Sequence, residues 1–170
     1  MVNIIADLLI RHKAIEFGEF TLASGKKSPY YIDVKSAVTN PDLLFAIASA
    51  IEQTQTFDVV AGVAVGGVPL AVATAMVTKK PYAIIRAAEK SHGKKEVIIG
   101  NVRDVNVLLV EDVTTSGGSA IYGIHALRDA GAQADRVVTV VDREQGAGEM
   151  LKKQGVSLFP LVKVSEILQS

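Results

Sequence analysis

Two adjacent carboxylates and a run of hydroxyl and glycine residues are spaced for chemistry on a phosphorylated sugar. Glu111 and Asp112 follow four apolar residues, 107–110, and residues 113–119 read Val-Thr-Thr-Ser-Gly-Gly-Ser. The apolar run predicts a strand covered on both faces, and we expect the acids to end it with their side chains open to a ligand. The glycines let a phosphate approach backbone N–H groups, and the helix predicted to follow points its positive dipole end there. The segment therefore predicts a site for a sugar phosphate, with the acids accepting hydrogen bonds from ribose hydroxyls; the alternative is an ordinary polar turn.

A second strand, glycine turn and helix lie earlier in the chain. A strand over residues 59–64 leads to Gly66 and Gly67, and a helix is predicted from about residue 70 to residue 79. The turn is either a backbone cradle for a pyrophosphate or a tight connection without a ligand.

Two arginines follow further predicted strands. Arg86 ends a short strand over residues 81–86, and Arg143 lies just after a buried strand at residues 137–141. In a parallel sheet the carboxyl ends of the strands share one edge, so we expect both arginines at the same edge as the acids.

The segment 17–33 alternates apolar and polar residues around a Ser-Gly-Lys-Lys-Ser-Pro turn, which predicts a hairpin outside the main sheet. Tyr30 and Tyr31 should point to opposite faces of its second strand. One tyrosine can then pack on the core while the other offers its ring to a ligand, although both can also simply pack.

Residues 87–100 form a polar, largely cationic stretch in an otherwise apolar chain. The stretch predicts a long mobile loop with a hairpin-like return, and it has almost no apolar anchor before Val97. The alternative is a run of solvated charges.

The remaining pattern supplies the elements that hold these residues. We expect an amphipathic helix over residues 1–15, a helix over residues 41–53 capped by Asn40, and a helix after Ser119 that ends at Gly131. Strands that alternate with helices predict an α/β fold with a central parallel sheet. Ligands should then bind beyond the carboxyl ends of the strands.

Composition limits the class of partner. The chain has 170 residues, 49% of them hydrophobic, a formal net charge of +0 and no cysteine. We therefore expect one domain, and no nucleic-acid or membrane-surface role driven by bulk charge. The chain has no cysteine ligand or disulfide, and no apolar run reaches the roughly 18 residues of a membrane span, so we expect a soluble cytoplasmic protein.

These motifs together resemble the orotate phosphoribosyltransferases, a branch of the type I phosphoribosyltransferases, over essentially the whole chain. The matching segments are residues 24–33, 62–69, 90–93, 107–119 and 141–146, together with Arg86. The chain departs from the better-known pattern at Ala23, Gly66 and Ala87, where the family often has lysine.

The resemblance implies a type I phosphoribosyltransferase fold, with a central parallel sheet flanked by helices and a small hood formed by about residues 1–40 and the C-terminal segment. It also implies transfer of the phosphoribosyl group of 5-phosphoribosyl 1-diphosphate (PRPP) to orotate, giving orotidine 5′-phosphate and diphosphate in pyrimidine synthesis. The alternatives are a purine-type phosphoribosyltransferase and a non-catalytic PRPP-sensing regulator. The hairpin and residues 142–145 discriminate against the purine type.

The resemblance also implies roles for single residues. Catalysis is assigned to Lys90, His92, Glu111 and Asp112. PRPP binding is assigned to Gly66, Gly67, Arg86, Lys90, His92, Glu111, Asp112, Val113, Thr114, Thr115, Ser116, Gly117, Gly118 and Ser119. Orotate binding is assigned to Lys26, Tyr30, Tyr31, Thr115 and Arg143.

The implied cofactor is Mg²⁺, held mainly by PRPP and water near the two acids rather than by direct protein ligands. The implied assembly is a homodimer with active sites shared across its interface. No nucleic acid or membrane partner is expected.

Overall fold

The computed structural model describes residues 4–21, 25, 27–87 and 96–168. Its strands are β1 Ile15–Thr21, β2 Lys27–Ile32, β3 Val59–Val63, β4 Tyr82–Ile85, β5 Ile98–Ile99, β6 Asn106–Thr114, β7 Gln133–Asp142 and β8 Ser157–Lys163. Its helices are α1 Ile4–Arg11, α2 Val34–Ala37, α3 Pro41–Thr54, α4 Gly67–Thr78, α5 Gly118–Asp129, α6 Ala147–Lys153 and α7 Val164–Leu168.

Six strands form the main sheet in the order β5-β4-β3-β6-β7-β8. All neighbouring pairs are parallel except β4 with the two-residue strand β5. The predicted parallel α/β sheet is therefore confirmed. The carboxyl ends of β3, β4, β6 and β7 lie along one edge, and that edge carries the predicted site.

Residues of β6 alternate between two apolar clusters. Leu108 and Val110 pack with residues of α1, α3 and α4, whereas Val107 and Leu109 pack with residues of α5 and α6. Because successive side chains of a strand point to opposite faces, this alternation also decides where the two acids point.

Four predicted boundaries are wrong, including the start of β7, which lies at Gln133 instead of residue 137. The first helix ends at Arg11 instead of residue 15, because Lys13 has a left-handed φ of 57° and Ile15 already begins β1. Helix α4 begins at Gly67 rather than near residue 70, since Pro69 fits in a first helical turn, where its missing N–H costs nothing. Strand β6 runs on through Thr114 and does not stop at the acids.

Other local predictions are confirmed. The side-chain oxygen of Asn40 accepts hydrogen bonds from the N–H groups of Asp42 and Leu43 and caps α3. Strands β1 and β2 pair antiparallel in a sheet of their own. Strand β5 returns antiparallel along β4, and the Arg86 N–H donates to the carbonyl oxygen of Val97 at 2.8 Å.

Four residues of interest lie outside the described residues, namely Ala23, Lys26, Lys90 and His92. At one edge of the main sheet, β8 carries Pro160 opposite Thr139 of β7. Within the described ranges no helix is long and apolar enough to cross a bilayer.

Candidate active site

The two acids of β6 lie on opposite faces of the sheet and have different neighbours. Glu111 is on the face of α5, and Asp112 is on the face of α4 and the hairpin. Both are buried, with exposed fractions of 4% and 8%, so the expectation of open side chains is wrong. Their burial follows from the continuation of β6 beyond them.

Glu111 is tied to the start of α5. The Ser119 hydroxyl donates a hydrogen bond to its Oε1 at 2.9 Å. Burial raises the pKa of Glu111 to about 7; the bond from Ser119 lowers it, and the neighbouring charge of Asp112 raises it further. This carboxyl therefore changes charge near neutral pH.

Asp112 faces a small cavity between β6 and α2. The cavity has a volume of about 190 Å³, and its lining includes Lys35, Val113 and Thr115. The Lys35 ammonium lies 3.8 Å from Oδ2 of Asp112, and the side chain of Lys35 is 64% exposed, so the pair is weak and can rearrange.

Sequence reasoning missed Lys35. The available signal was a lone cation two residues after Asp33, which follows the tyrosine strand and caps α2 through its side chain. That position does not reveal that the short helix turns the ammonium towards β6.

The turn between β6 and α5 is open. Thr115 and Ser116 are exposed, Gly117 has φ of 86°, and a Cβ on Gly118 would meet no heavy atom within 4 Å. Within the described ranges no side chain caps α5, so N–H groups of its first turn are free to bind an anion. The local geometry therefore suits a phosphate.

Two hydroxyls predicted to face the phosphate have protein partners. Thr114 is buried within β6, and its hydroxyl donates to Oδ1 of Asp142 at 3.1 Å. Ser119 donates to Glu111, as described above. Thr115, Ser116 and Ser119 are the exposed hydroxyl residues of this segment, and within the described part of the chain Ser119 is the one of the three whose hydroxyl is hydrogen-bonded to another side chain.

The turn between β3 and α4 is closed by packing. A Cβ on Gly67 would lie 2.9 Å from the Cα of Gly62 and 2.7 Å from the carbonyl oxygen of Val110. A Cβ on Gly66 would lie 2.6 Å from the carboxylate of Asp112. A residue with a side chain here, such as lysine, would displace that carboxylate unless the turn moved.

Arg143 follows β7, and its guanidinium carbon lies 5.4 Å from the ring centroid of Tyr30. Its Nε is buried and has no hydrogen-bond partner among the described residues. Tyr30 packs on the core, whereas Tyr31 is 45% exposed and its ring lies 5.6 Å from that of Phe20. The predicted alternation of the tyrosines is confirmed, and Tyr30, the half-buried one, is the one beside the arginine.

A larger cavity, of about 640 Å³, lies between residues 96–103 and α5. It shares no lining residue with the cavity beside Asp112. Arg86 is exposed near its rim, and its carbonyl oxygen accepts a hydrogen bond from the Tyr122 hydroxyl at 3.0 Å.

Comparison with known proteins identifies the family to which the chain is similar. Residues 35–161 match the phosphoribosyl transferase domain family. The chain is 61% identical over 168 residues to the orotate phosphoribosyltransferase of Methanocorpusculum labreanum, covering 99% of each chain. The crystal structure of orotate phosphoribosyltransferase from Aeropyrum pernix is similar, with a TM-score of 0.86, 30% identity, and coverage of 98% of this chain and 97% of that one. The Mycobacterium tuberculosis enzyme in complex with PRPP is also similar, with a TM-score of 0.77, 26% identity, and coverage of 97% of each chain.

Proposed function

Because this chain belongs to the phosphoribosyl transferase family and is an orotate phosphoribosyltransferase, we propose that the edge formed by β3, β6 and β7 binds PRPP and orotate together. The products are orotidine 5′-phosphate and diphosphate, in the synthesis of pyrimidine nucleotides. The observation that carries the orotate assignment is the Nε of Arg143, which is buried beside Tyr30, has no hydrogen-bond partner among the described residues, and lies at the same edge as the open turn.

Arg143 would grip the orotate carboxylate. A guanidinium presents paired donors that match the two oxygens of a carboxylate, and a buried donor without a partner gains most from such a ligand. The adjacent ring of Tyr30 offers a flat apolar surface for the pyrimidine. Thr115 lines the neighbouring cavity and would complete the base site, with Tyr31 and Lys26 at its margin.

The open turn would hold the 5′-phosphate of PRPP. Backbone N–H groups of Gly117 and Gly118 and the hydroxyls of Thr115 and Ser116 can converge on one phosphate, in the field of the α5 dipole. No Cβ from Gly118 obstructs the approach.

The reaction displaces diphosphate from C1 of the ribose by a ring nitrogen of orotate. Positive charge develops on the sugar, and negative charge develops on the leaving group, so the site needs placed charges and dipoles more than a protein nucleophile. Asp112, which faces the Gly66 turn, would stabilise the cationic ribose, and Glu111 would hold α5 in register through Ser119. Lys35, beside Asp112, and Arg86, at the end of β4, would supply positive charge for the diphosphate that leaves.

Mg²⁺ fits the carboxylate donors of this edge. The described residues contain no group of three His, Cys, Asp or Glu side chains that could hold a metal ion, so most ligands would come from PRPP and water. Asp112 and Glu111 would be the nearby protein oxygens. When bound, Mg²⁺ would neutralise charge on the diphosphate.

A homodimer with shared sites is part of the proposal. Helix α4 contains no charged residue, yet Met76 is 67% exposed, and Val65 just before it is 77% exposed. Phe45 on the adjacent helix α3 is 64% exposed. Such an apolar face supports packing against a second copy, since helices that are apolar all round are normally buried. Lys90 and His92 of one subunit would then complete the site of the other. We place the enzyme in the cytoplasm, because a chain without cysteine needs no oxidising compartment.

The function is tested by following the loss of orotate absorbance with PRPP and Mg²⁺, in parallel with hypoxanthine, adenine and uracil. Of the four bases, we expect the enzyme to convert orotate and none of the other three. Turnover of a purine in its place would show the purine-type reaction, and tight PRPP binding without turnover would show a sensor.

Site sharing is tested by mixing Lys90→Ala and Asp112→Asn subunits, each expected to be nearly inactive alone. Random exchange makes about half of the dimers mixed and restores about a quarter of wild-type sites, because one site of a mixed dimer carries neither lesion. If verified mixed dimers recover no activity, Lys90 acts within its own subunit.

A further inference from the structure

Asp142, the last residue of β7, is buried and joins two parts of the site. Its Oδ1 accepts a hydrogen bond from the Thr114 hydroxyl at 3.1 Å and a second from the Glu144 N–H at 3.0 Å. Its exposed fraction is 8%. A buried carboxylate with two hydrogen-bond donors at this edge of the sheet is suited to holding the surrounding backbone in place.

The partners of Asp142 flank both substrate positions. Thr114 immediately precedes the open turn, and Glu144 immediately follows Arg143. Two backbone bonds reinforce the link, because the Arg143 N–H donates to the Thr114 carbonyl oxygen at 2.9 Å and the Ala147 N–H donates to the Thr115 carbonyl oxygen at 3.1 Å. The open turn between β6 and α5 and the turn that carries Arg143, residues 142–144, are thus joined by hydrogen bonds into one unit. We call the second of these the arginine turn.

The backbone after Arg143 adopts a conformation that needs support. Glu144 has φ of 56°, in the left-handed region that residues with a Cβ disfavour. Acceptance of its N–H by Asp142 favours this conformation locally. The Glu144 carboxylate also accepts a hydrogen bond from the Ser165 N–H at 2.7 Å, which fastens the start of α7 to the same turn.

In the part of the chain that the structure describes, Arg143 has no ion pair that would fix the direction of its side chain. Among the described residues its Nε has no hydrogen-bond partner, and the contact with the Tyr30 ring at 5.4 Å leaves the guanidinium free to tilt. Its direction therefore depends on the backbone from residue 142 to residue 144, and Asp142 holds that backbone at both ends.

We infer that Asp142 is a positioning residue that orients the Arg143 side chain towards the orotate carboxylate. Through its bond with Thr114, Asp142 also links this orientation to the conformation of the open turn. The inference rests on the proposed assignment of Arg143 to orotate. If the Asp142 carboxylate is removed, the backbone of the arginine turn can change conformation and Arg143 no longer points at the orotate carboxylate. Orotate binding then weakens more than PRPP binding.

The test compares Asp142→Ala with Asp142→Asn, which keeps a side-chain oxygen that can accept both bonds. Asp142→Ala is expected to raise the orotate KM about tenfold, because the free energy of about one buried hydrogen bond no longer holds Arg143 in its binding orientation. The PRPP KM is expected to change less than about threefold. Asp142→Asn is expected to stay within about threefold of wild type for both. Thr114→Val removes one of the two donors, and its effect on the orotate KM should not add to that of Asp142→Ala.

Measuring Arg143→Ala in the same assay distinguishes the proposed orotate site at Arg143 from the positioning role of Asp142. If it leaves the orotate KM unchanged, the proposed orotate site fails, whatever Asp142 does. If it raises the orotate KM while a folded Asp142→Ala does not, or raises both KM values equally, the positioning role is overturned. Should Asp142→Ala yield no soluble protein, an unchanged orotate KM in Thr114→Val overturns it instead.

Discussion

Two glycine turns lie at the carboxyl ends of β3 and β6. Both contain a Gly-Gly pair, but one is tightly packed and the other is open. Each joins a parallel strand to a twelve-residue helix whose first residue is glycine, Gly67 in α4 and Gly118 in α5. At Gly67 a Cβ would overlap the backbone of β3 and β6, whereas at Gly118 it would meet no heavy atom within 4 Å. The first glycine permits close packing of helix on strand, and the second leaves space for a ligand.

This difference shows that a strand–glycine–helix pattern does not by itself identify a phosphate turn. Both turns were predicted as candidate cradles for phosphates. The open turn has exposed hydroxyls, whereas in the closed turn a Cβ on Gly66 would lie 2.6 Å from the carboxylate of Asp112. Within the described part of the chain neither helix has a side-chain cap, so capping does not distinguish the two turns. The closed turn therefore limits where the Asp112 carboxylate of β6 can lie, in addition to any backbone contact with the diphosphate.

The largest effect is expected from Gly67→Ala. The added methyl group would press on the Gly62 Cα and the Val110 carbonyl oxygen, neither of which can move without shifting a central strand. We expect a loss of about 3 kcal/mol or more in the free energy of unfolding, or a failure to fold. Urea denaturation measures it, and a variant as stable as wild type would contradict the packing role.

Gly66→Ala should affect activity more than stability. Its Cβ would lie 2.6 Å from the Asp112 carboxylate, which would have to turn away. We expect kcat to fall about tenfold to a hundredfold, because a displacement of about 1 Å at a catalytic group has effects of this size. Steady-state kinetics with a melting curve test this; a normal kcat would mean that Asp112 can move without consequence.

Glu111→Gln should change how stability depends on pH. Burial raises the pKa of Glu111 from 4.5 to about 7, so the folded protein binds this proton more tightly than the unfolded chain does. The resulting stabilisation is complete below the unfolded pKa and is lost as pH rises through about 7. Relative to wild type, the variant should lose roughly 1–3 kcal/mol less in free energy of unfolding between about pH 5 and about pH 8.

Ser119→Ala provides the matched control for that titration. The Ser119 hydrogen bond lowers the pKa of Glu111, so its removal should move the loss of stability to higher pH. Identical urea profiles for the wild type and both variants would show that Glu111 is not the titrating group.

The smallest effect is expected from Gly118→Ala, which places the same methyl group at the matching position of α5. The site is open and helical, so stability should stay constant or rise by about 0.5–1 kcal/mol. The KM for PRPP should rise a fewfold if the phosphate approaches this backbone. A loss of stability similar to that of Gly67→Ala would remove the distinction between the turns.

The sequence allowed the sheet, the hairpin and the capped helix α3 to be predicted, because each depends on local periodicity or on a specific cap. The end of β6 was misplaced because Glu111 and Asp112 look like loop residues until packing around them is known. The roles of Lys35, Asp142 and Gly66 could not be predicted, since each depends on a neighbour that lies between 28 and 77 residues away along the chain.

The two outer strands of the main sheet also bear on aggregation. An exposed strand edge can recruit another chain through its free N–H and carbonyl groups. Strand β5 offers only two residues for such pairing, and Pro160 removes one N–H from β8. Both edges are therefore poor templates for fibril growth, and Pro160→Thr should increase light scattering of concentrated enzyme if this protection matters.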